Sequence, residues 1–489
     1  MCAQLNLAER RARGTEAAAR IPHQAHRGWA PAEGRRSPVD LLAEQESDRL
    51  ADLVPVRHGR MMVSPFTFYR GAAAVMAEDL KATPVAGLSV QLCGDAHLSN
   101  FGVFGSPERR LVFDVNDFDE TLPGPFEYDL KRMVTSFVIA ARDNGFAAAD
   151  AKAAARAASA AYRTAMAGFA GLSTMDVWYA CLDEDAIRAV ARGAMDDIGK
   201  TEKSAKSAKK KERARAEAKM AKRAAKRANQ AAEKAHTRDS MQALSKLGEM
   251  VAGRYRIASQ PPVLIPLREL AFDMARDVTP EQIEEGIRDQ FRAYRSTLQP
   301  DRRFLLEQYE IVDAARKVVG VGSVGTRAYI VLLQGRDASD PLFLQIKEAT
   351  SSVLEGHLPR SRYRQHGQRV VQGQRLMQAA SDIYLGWTRG PAGRDFYWRQ
   401  LRDMKGSAEV EAMSSLGLTA YARICGWTLA RAHARSGDPV AIAAYLGDGD
   451  EFDRAVTDFA KRYADQNERD YTEFVTAVRS GEMTALEGV

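Results

Sequence analysis

Between Leu92 and Leu130 the chain reads LCGDAHLSNFGVFGSPERRLVFDVNDFDETLPGPFEYDL, and four carboxylates, Asp114, Asp117, Asp119 and Glu120, crowd into seven positions. They follow Arg110-Leu-Val-Phe113, an apolar run that reads as a buried strand. Like charges this close repel by about 4 kcal/mol per pair at 4 Å and an effective dielectric of 20. Any fold of this chain therefore has to expose the cluster or set a cation against it. Just before the strand, Gly94-Asp95-Ala96-His97-Leu98-Ser99-Asn100 places an acid and an amide five residues apart across a tight turn. Hard cations such as Mg²⁺ take carboxylate and amide oxygens and share them with substrate phosphates. An Asp that accepts a hydroxyl proton, with an Asn and an Asp that hold Mg²⁺, is the catalytic end of a phosphoryl-transfer site. Either half alone reads equally well as a polar turn or an exposed loop; their order around one strand favours a site.

A second constellation lies more than two hundred positions downstream, where Lys317 to Leu333 reads KVVGVGSVGTRAYIVLL. Gly320, Gly322 and Gly325 form G-x-G-x-x-G, but a dinucleotide site would need a helix next. Tyr329 to Leu333 instead reads as a strand, and strand–glycine loop–strand is the hairpin that covers ATP phosphates in kinases. Leu342-Phe-Leu-Gln-Ile-Lys347 is a third strand ending in a lysine, which needs a counter-charge if buried. Glu355 is the first expectation and Glu348 the alternative. Ile383–Trp387 and Asp395–Leu401 alternate like two more paired strands, giving five in all, and an aromatic-rich hinge near an adenine.

The length of 489 residues allows two or more domains. Residues 1–36 read as a flexible arm, and 37–198 as a catalytic lobe. Within that lobe helices are expected over Pro38–Leu53, Phe66–Leu80 and Glu127–Arg142, the last carrying Asp129, and the Leu88–Leu92 strand feeds the Asp95 turn. Residues 199–240 read as a basic helical or disordered insertion, 241–311 as a helical linker region with helix continuing to Lys317, 312–408 as a nucleotide lobe, and 409–489 as C-terminal helices. Lys200 to Arg238 holds fifteen Lys and Arg against four Glu, a local +11 within a total of +6. The remaining chain is thus mildly acidic, and a nucleic-acid role is confined to a non-specific one for segment 200–238. Four scattered cysteines and the lack of a signal peptide or an 18-residue apolar run predict a cytoplasmic protein without a membrane partner.

Asp95 to Asn100 resembles the catalytic loop of protein kinases and, in its Gly-Asp-x-His-x-x-Asn form, that of aminoglycoside/choline-type phosphotransferases. There a metal-binding Asp follows a short strand and a structural Asp comes about twelve residues later; Asp117 and Asp129 stand twelve apart. Kinases run from glycine loop to catalytic loop, whereas here the order is inverted, which a circular permutation explains because termini commonly lie close together at the surface. The whole pattern, including FYRGAAAVM, QLCGDAHLSNFG, FDVNDFDET, VGVGSVGTRAY, LQIKEA and QRLMQAASDIYLGW, resembles the bacterial family of domain of unknown function 2252 over about residues 37 to 470. The resemblance implies an α+β, two-lobed protein-kinase-like fold, circularly permuted, with a small antiparallel β nucleotide lobe and a large helical catalytic lobe. It implies an ATP- and Mg²⁺-dependent phosphotransferase acting on an unknown hydroxyl acceptor, more readily a small molecule. Asp95, Asn100 and Asp117 would be catalytic; Asn100, Asp117 and Asp119 would hold metal. Gly320, Gly322, Ser323, Gly325, Lys347 and Glu355 would bind the nucleotide. The alternatives are AMP transfer to proteins on the same fold, a non-catalytic nucleotide-binding regulator, and a carboxylate-based metal hydrolase.

Overall fold

The computed structural model describes residues 5–187, 232–251, 254–274, 280–401 and 404–488, with four isolated positions between 219 and 230. Most of the basic segment 199–240 therefore lies outside the described residues. Residues 1–4 lie outside the described residues; residues 5–36, expected as part of a loose arm, pack on the body of the molecule. Asn6 and Glu9 form a capping box that starts α1 (Leu7–Arg20). Gly14 lets this helix lie against the C-terminal half of the chain, since a Cβ there would come within 2.1 Å of the Ala441 carbonyl. Trp29 packs edge-on against Tyr463 at 4.8 Å, and half-buried Arg35 bridges the buried Asp79 (2.6 Å) and Asp470 (2.7 Å). The Ala- and Arg-rich composition that reads as disorder is a close-packed interface whose charges find partners far away in sequence.

Helices α2 (Pro38–Glu46), α3 (Val54–Met61), α4 (Pro65–Gly71) and α5 (Ala73–Leu80) follow. The helix expected over 38–53 stops at Glu46, and that over 66–80 breaks at Ala72, whose backbone leaves helical geometry (φ −108, ψ 40). Strand β1 (Ser89–Leu92) pairs antiparallel with β4 (Leu122–Pro125), and β2 (Phe101–Gly105) with β3 (Leu111–Val115). These two small ladders hold the Asp95 turn and the acidic loop at their ends. Helix α6 (Phe126–Asp143) runs through the middle of the helical body with nearly every residue buried, against α7 (Ala148–Ala170). After α8 (Thr174–Tyr179), β5 (Leu182–Asp183) pairs with β3.

The second half begins with α9 (Ser240–Leu247) and a hairpin of β6 (Gly248–Val251) and β7 (Arg254–Ile257). Next come β8 (Leu264–Pro266), α10 (Leu267–Met274), α11 (Pro280–Arg295) and α12 (Pro300–Leu306). Helix does not continue to Lys317: Glu310–Lys317 is strand β9, because its ladder with β10 (Ala328–Gln334) overrides the helical leaning of Asp-Ala-Ala-Arg. Strands β11 (Pro341–Ala349), β12 (Gly386–Arg389) and β13 (Asp395–Gln400) complete one antiparallel sheet in the order β12-β13-β11-β10-β9-β8. It has six strands, not the expected five, because β8 from the supposed linker joins its edge. One face packs on α11, where Tyr294 and Trp398 stack at 4.5 Å; the other packs on Leu244 and Leu247 of α9. Removing a buried aromatic such as Trp398 costs about 3–5 kcal/mol. Helix α13 (His366–Met377) lies between β11 and β12 in sequence. After β14 (Gly406–Ser407), helices α14 (Ser415–Ser436), α15 (Pro439–Leu446) and α16 (Glu451–Arg479) close around α6 and α7.

The molecule is thus a mixed α+β protein with small antiparallel sheets. Among the described residues no helix is long and apolar enough to cross a membrane.

Candidate active site

One face of α6 builds the Asp95 turn. Asp129, Arg132 and Ser136 are spaced three and four residues apart, so their side chains stack on one side of the helix. Asp129 accepts the backbone N–H groups of Cys93 (2.8 Å) and Gly94 (3.0 Å), and Ser136 Oγ accepts that of Leu98 (3.0 Å). Arg132 Nε donates to Asp95 Oδ1 at 2.8 Å, with its guanidinium 3.7 Å above the Tyr69 ring. Asn100 Nδ2 donates to the Asp95 carbonyl (2.8 Å). The turn needs Gly94: its φ is +86, and a Cβ would lie 2.2 Å from the Glu120 carbonyl. Asp129 braces the turn through its two backbone bonds. His433 on α14 sits 3.2 Å from it, with the Tyr162 hydroxyl 2.8 Å from the other ring nitrogen. Beside Asp95, burial first and then the charges of Arg70 and Arg132 hold the His97 imidazole well below its ordinary range, so it is neutral.

The acidic cluster divides its labour. Asp114 is fully buried, paired with Arg431 of α14 and accepting the Ala379 N–H at 2.8 Å. Asp117 and Asp119 keep about a third of each side chain exposed, and Lys347 comes to meet them. Its ammonium is hydrogen-bonded to Asp119 Oδ2 and lies 3.8 Å from Asp117 Oδ1, while only 3% of the lysine side chain is exposed. This corrects the counter-ion expectation. Neither Glu355 nor Glu348 serves Lys347; Glu348 pairs with Arg327 (3.2 Å) and Arg394 (2.7 Å). Glu355, on a short 3-10 turn, keeps a buried Oε1 without a partner. The nearer acids win because the fold brings the acidic loop against Lys347 near the end of β11.

Desolvation opposes ionisation of Asp119, but the Lys347 charge and hydrogen bonds from Lys347 and Tyr397 (2.7 Å) bring it down to about 2. Asp117, without such bonds, is pushed up by desolvation and by the Asp119 charge. Lys347 is in turn raised: its two carboxylates outweigh the burial that would lower it. Burial pushes Glu120 up to about 7, although it accepts the Val353 N–H at 2.7 Å. Arg369 of α13, buried behind the loop, donates to the carbonyls of Asp119 (2.8 Å), Thr121 (2.7 Å) and Thr350 (2.7 Å) and so fixes the loop against the sheet.

The glycine loop joins β9 to β10 as a run of turns. Gly320 (φ +65) and Gly325 (φ +88) adopt the left-handed backbone that L side chains avoid. Arg60 donates to the Gly320 carbonyl (2.6 Å), Leu50 N–H to that of Gly325 (2.8 Å), and Arg49 to that of Val324. Ser323 Oγ reaches Asp119 Oδ2 at 3.3 Å. Four of the sequence-predicted residues, Asp117, Asp119, Ser323 and Lys347, therefore form one contact group. Asp95 and Asn100 join it through the backbone, where Asn116 N–H donates to the Asn100 carbonyl at 2.8 Å.

Sequence reasoning missed Tyr397, Arg399 and Lys405. Arg399 donates to Gln345 Oε1 (2.9 Å) and to the Asn116 carbonyl (3.3 Å), and Lys405 is lowered to about 7 by the like charge of Arg399 and by burial. The two-residue period of β13, which puts Tyr397 and Arg399 on the face of Lys347's strand neighbour, is the signal that could have found two of them.

Among the described residues no three His, Cys, Asp or Glu side chains gather to hold a metal by themselves. The donor set fits Mg²⁺ nevertheless. Asp117 and Asp119 offer hard carboxylate oxygens, and Asn100, its amide nitrogen committed to Asp95, has Oδ1 left. Mg²⁺ is commonly held by one or two carboxylates together with substrate phosphates. In comparisons with known proteins, the profile of a family described as an uncharacterized protein conserved in bacteria, domain of unknown function 2252, matches residues 49–228 and 192–477. No curated protein matches. No solved structure matches either.

Proposed function

The chain belongs to this bacterial family, and from the geometry of this side-chain group we propose that it transfers the γ-phosphoryl group of ATP to the hydroxyl of a small molecule. The observation that carries this reading is the meeting of Lys347 with Asp117 and Asp119, with Ser323 of the glycine loop on the same carboxylate. A buried ammonium and two carboxylates, with a glycine loop above them, suit a magnesium polyphosphate: the ammonium takes phosphate oxygens and the carboxylates take the cation. When bound, Mg²⁺ neutralises charge on the phosphates.

Within this reading Asp95, oriented by Arg132, receives the proton of the acceptor hydroxyl as its oxygen bonds to the γ-phosphorus and the bond to the bridging oxygen of ADP breaks. Lys347 holds the phosphates, Gly320 to Gly325 cover them, and catalysis is mostly positioning and charge neutralisation. A permuted, two-lobed kinase-like arrangement is part of the proposal. Its support is the end of α14, where His433 lies against Asp129 and Ser436 Oγ accepts the Gln91 N–H (3.1 Å) on the strand leading into the Asp95 turn. The helix that precedes the catalytic loop in a kinase thus ends beside that loop here, with the chain connection moved.

The test is thermal stability with and without Mg·ATP, followed by product analysis with ATP labelled on the α or γ phosphate. At a hundredfold excess over Kd, binding adds about 2.7 kcal/mol, and Asp117→Ala should lose most of that gain. No shift of the wild type at millimolar nucleotide refutes the reading. Label carried to product from the α phosphate replaces it with AMP transfer.

A further inference from the structure

Arg70 sits at the end of α4 between the two halves of the proposed site. Its neighbour Tyr69 accepts Arg132 Nη2 at 2.7 Å and supports the guanidinium that holds Asp95. Its own carbonyl lies 3.2 Å from where a Cβ of Gly322 would be, directly under the glycine loop. Several arginines have a buried Nε without a partner, but Arg49, Arg57, Arg369 and Arg431 each place another nitrogen on an acceptor: Arg49 on Val324, Arg57 on Glu46, Arg369 on three carbonyls and Arg431 on Asp114. Among the described residues Arg70 donates no hydrogen bond and has no carboxylate at ion-pair distance, and its Nε is closed off from water. Asp95 and Glu411 feel its charge without reaching it. What sets Arg70 apart is a whole guanidinium without a hydrogen bond or counter-charge; its terminal nitrogens, unlike Nε, are not closed off, and polar groups drawn away from bulk water are nearly always satisfied, so they call for a partner from outside the chain.

We propose that Arg70 binds a carboxylate or phosphate group of the acceptor, so that the substrate is a hydroxyl compound that is itself an anion. This rests on the phosphotransferase reading and names its substrate class. The planar guanidinium matches carboxylate and phosphate oxygens in a two-bond fork. An anion docked there would stand beside Asp95, with its hydroxyl turned to that carboxylate and to the γ-phosphate. A cationic acceptor would meet Arg70 and Arg132 together.

The experiment uses the full chain and two probe pools supplied with Mg²⁺ and γ-labelled ATP: sn-glycerol 3-phosphate with D-glycerate, and choline with ethanolamine. Label should pass to the anionic pool. Arg70→Gln should raise the acceptor KM at least tenfold, with Arg70→Lys in between, while stabilisation by a non-hydrolysable Mg²⁺–ATP analogue stays within twofold of wild type in apparent affinity. That retained stabilisation also shows that the variants fold. Label in the cationic pool, label in neither pool from a wild type that binds the analogue, or equal loss of analogue and acceptor binding in Arg70→Gln each overturns the proposal. A wild type that fails to bind the analogue overturns the phosphotransferase reading itself, and Arg70's role with it.

Discussion

Replacing Lys347 by Met tests the contact on which the site depends. Met nearly conserves the volume of the aliphatic stem, so the change removes the ammonium and little packing. It leaves Asp117 and Asp119 without the ammonium that meets both, Asp119 still hydrogen-bonded by Tyr397 and the Arg399 charge still acting on each. Asp119 held at about 2 against its ordinary 3.8 is worth about 2 kcal/mol at neutral pH, at roughly 1.4 kcal/mol per pH unit. Breaking one partner from a fully buried pair costs about 3–5 kcal/mol. With over a quarter of the Asp119 side chain exposed, water relieves part of that, and about 2–3 kcal/mol is expected. The sign in pH follows from a depressed carboxylate: the stabilisation is complete above 3.8 and is lost as pH falls through about 2. The gap between Lys347→Met and wild type should therefore shrink over that window. Urea midpoints at pH 7 supply the assay, with Lys347→Met/Asp119→Asn as the closing corner of a double-mutant cycle. The double variant should recover most of the loss. A Lys347→Met midpoint equal to wild type, or a double variant as unstable as the sum of the two singles, would refute the argument.

Four further outcomes follow from named contacts. Asp129→Ala removes the acceptor of two backbone N–H groups in the Asp95 turn and should cost about 2–3 kcal/mol, read by thermal unfolding, while the Mg·ATP shift falls with it. Gly94→Ala should lower the unfolding temperature by several degrees, because its Cβ meets the Glu120 carbonyl at positive φ; an unchanged value sinks the reading of this turn. Arg35→Met leaves Asp79 and Asp470 buried and unpaired, for a loss of about 3–5 kcal/mol that a dispensable arm would not show. Since burial pushes Glu120 up to about 7 from 4.5, its ionisation costs stability progressively between those values. Glu120→Gln should accordingly raise the urea midpoint at pH 8 and leave it unchanged at pH 4.

Much of the site was legible because its chemistry is local. The Asp95 turn, the acidic loop and the glycine loop each lie within about a dozen residues; the resemblance to phosphotransferases singled out Asp117 over Asp114, and the fold buries Asp114 against Arg431. Asp129 reads as a brace from its place at a helix start, where free N–H groups and the dipole favour an acid, and it braces Cys93 and Gly94. The counter-ion of Lys347 was not legible, because a search along the sequence weighs Glu348 and Glu355 while the partners lie 228 and 230 positions away. Residues 5–36 and 310–317 misled for the same reason: their local composition is weak, and distant helices and a neighbouring strand decide their state.

The sequence by itself determined which groups are available for chemistry and the short turns that present them, since turn geometry and like-charge crowding act over a few bonds. Only the tertiary structure decided that the ammonium at the end of β11 neutralises carboxylates from the opposite half of the chain, and that Arg70, next to the residue that supports Arg132, is left without a hydrogen-bond partner among the described residues. Electrostatic pairing depends on distance through space, and folding, not chain order, sets that distance.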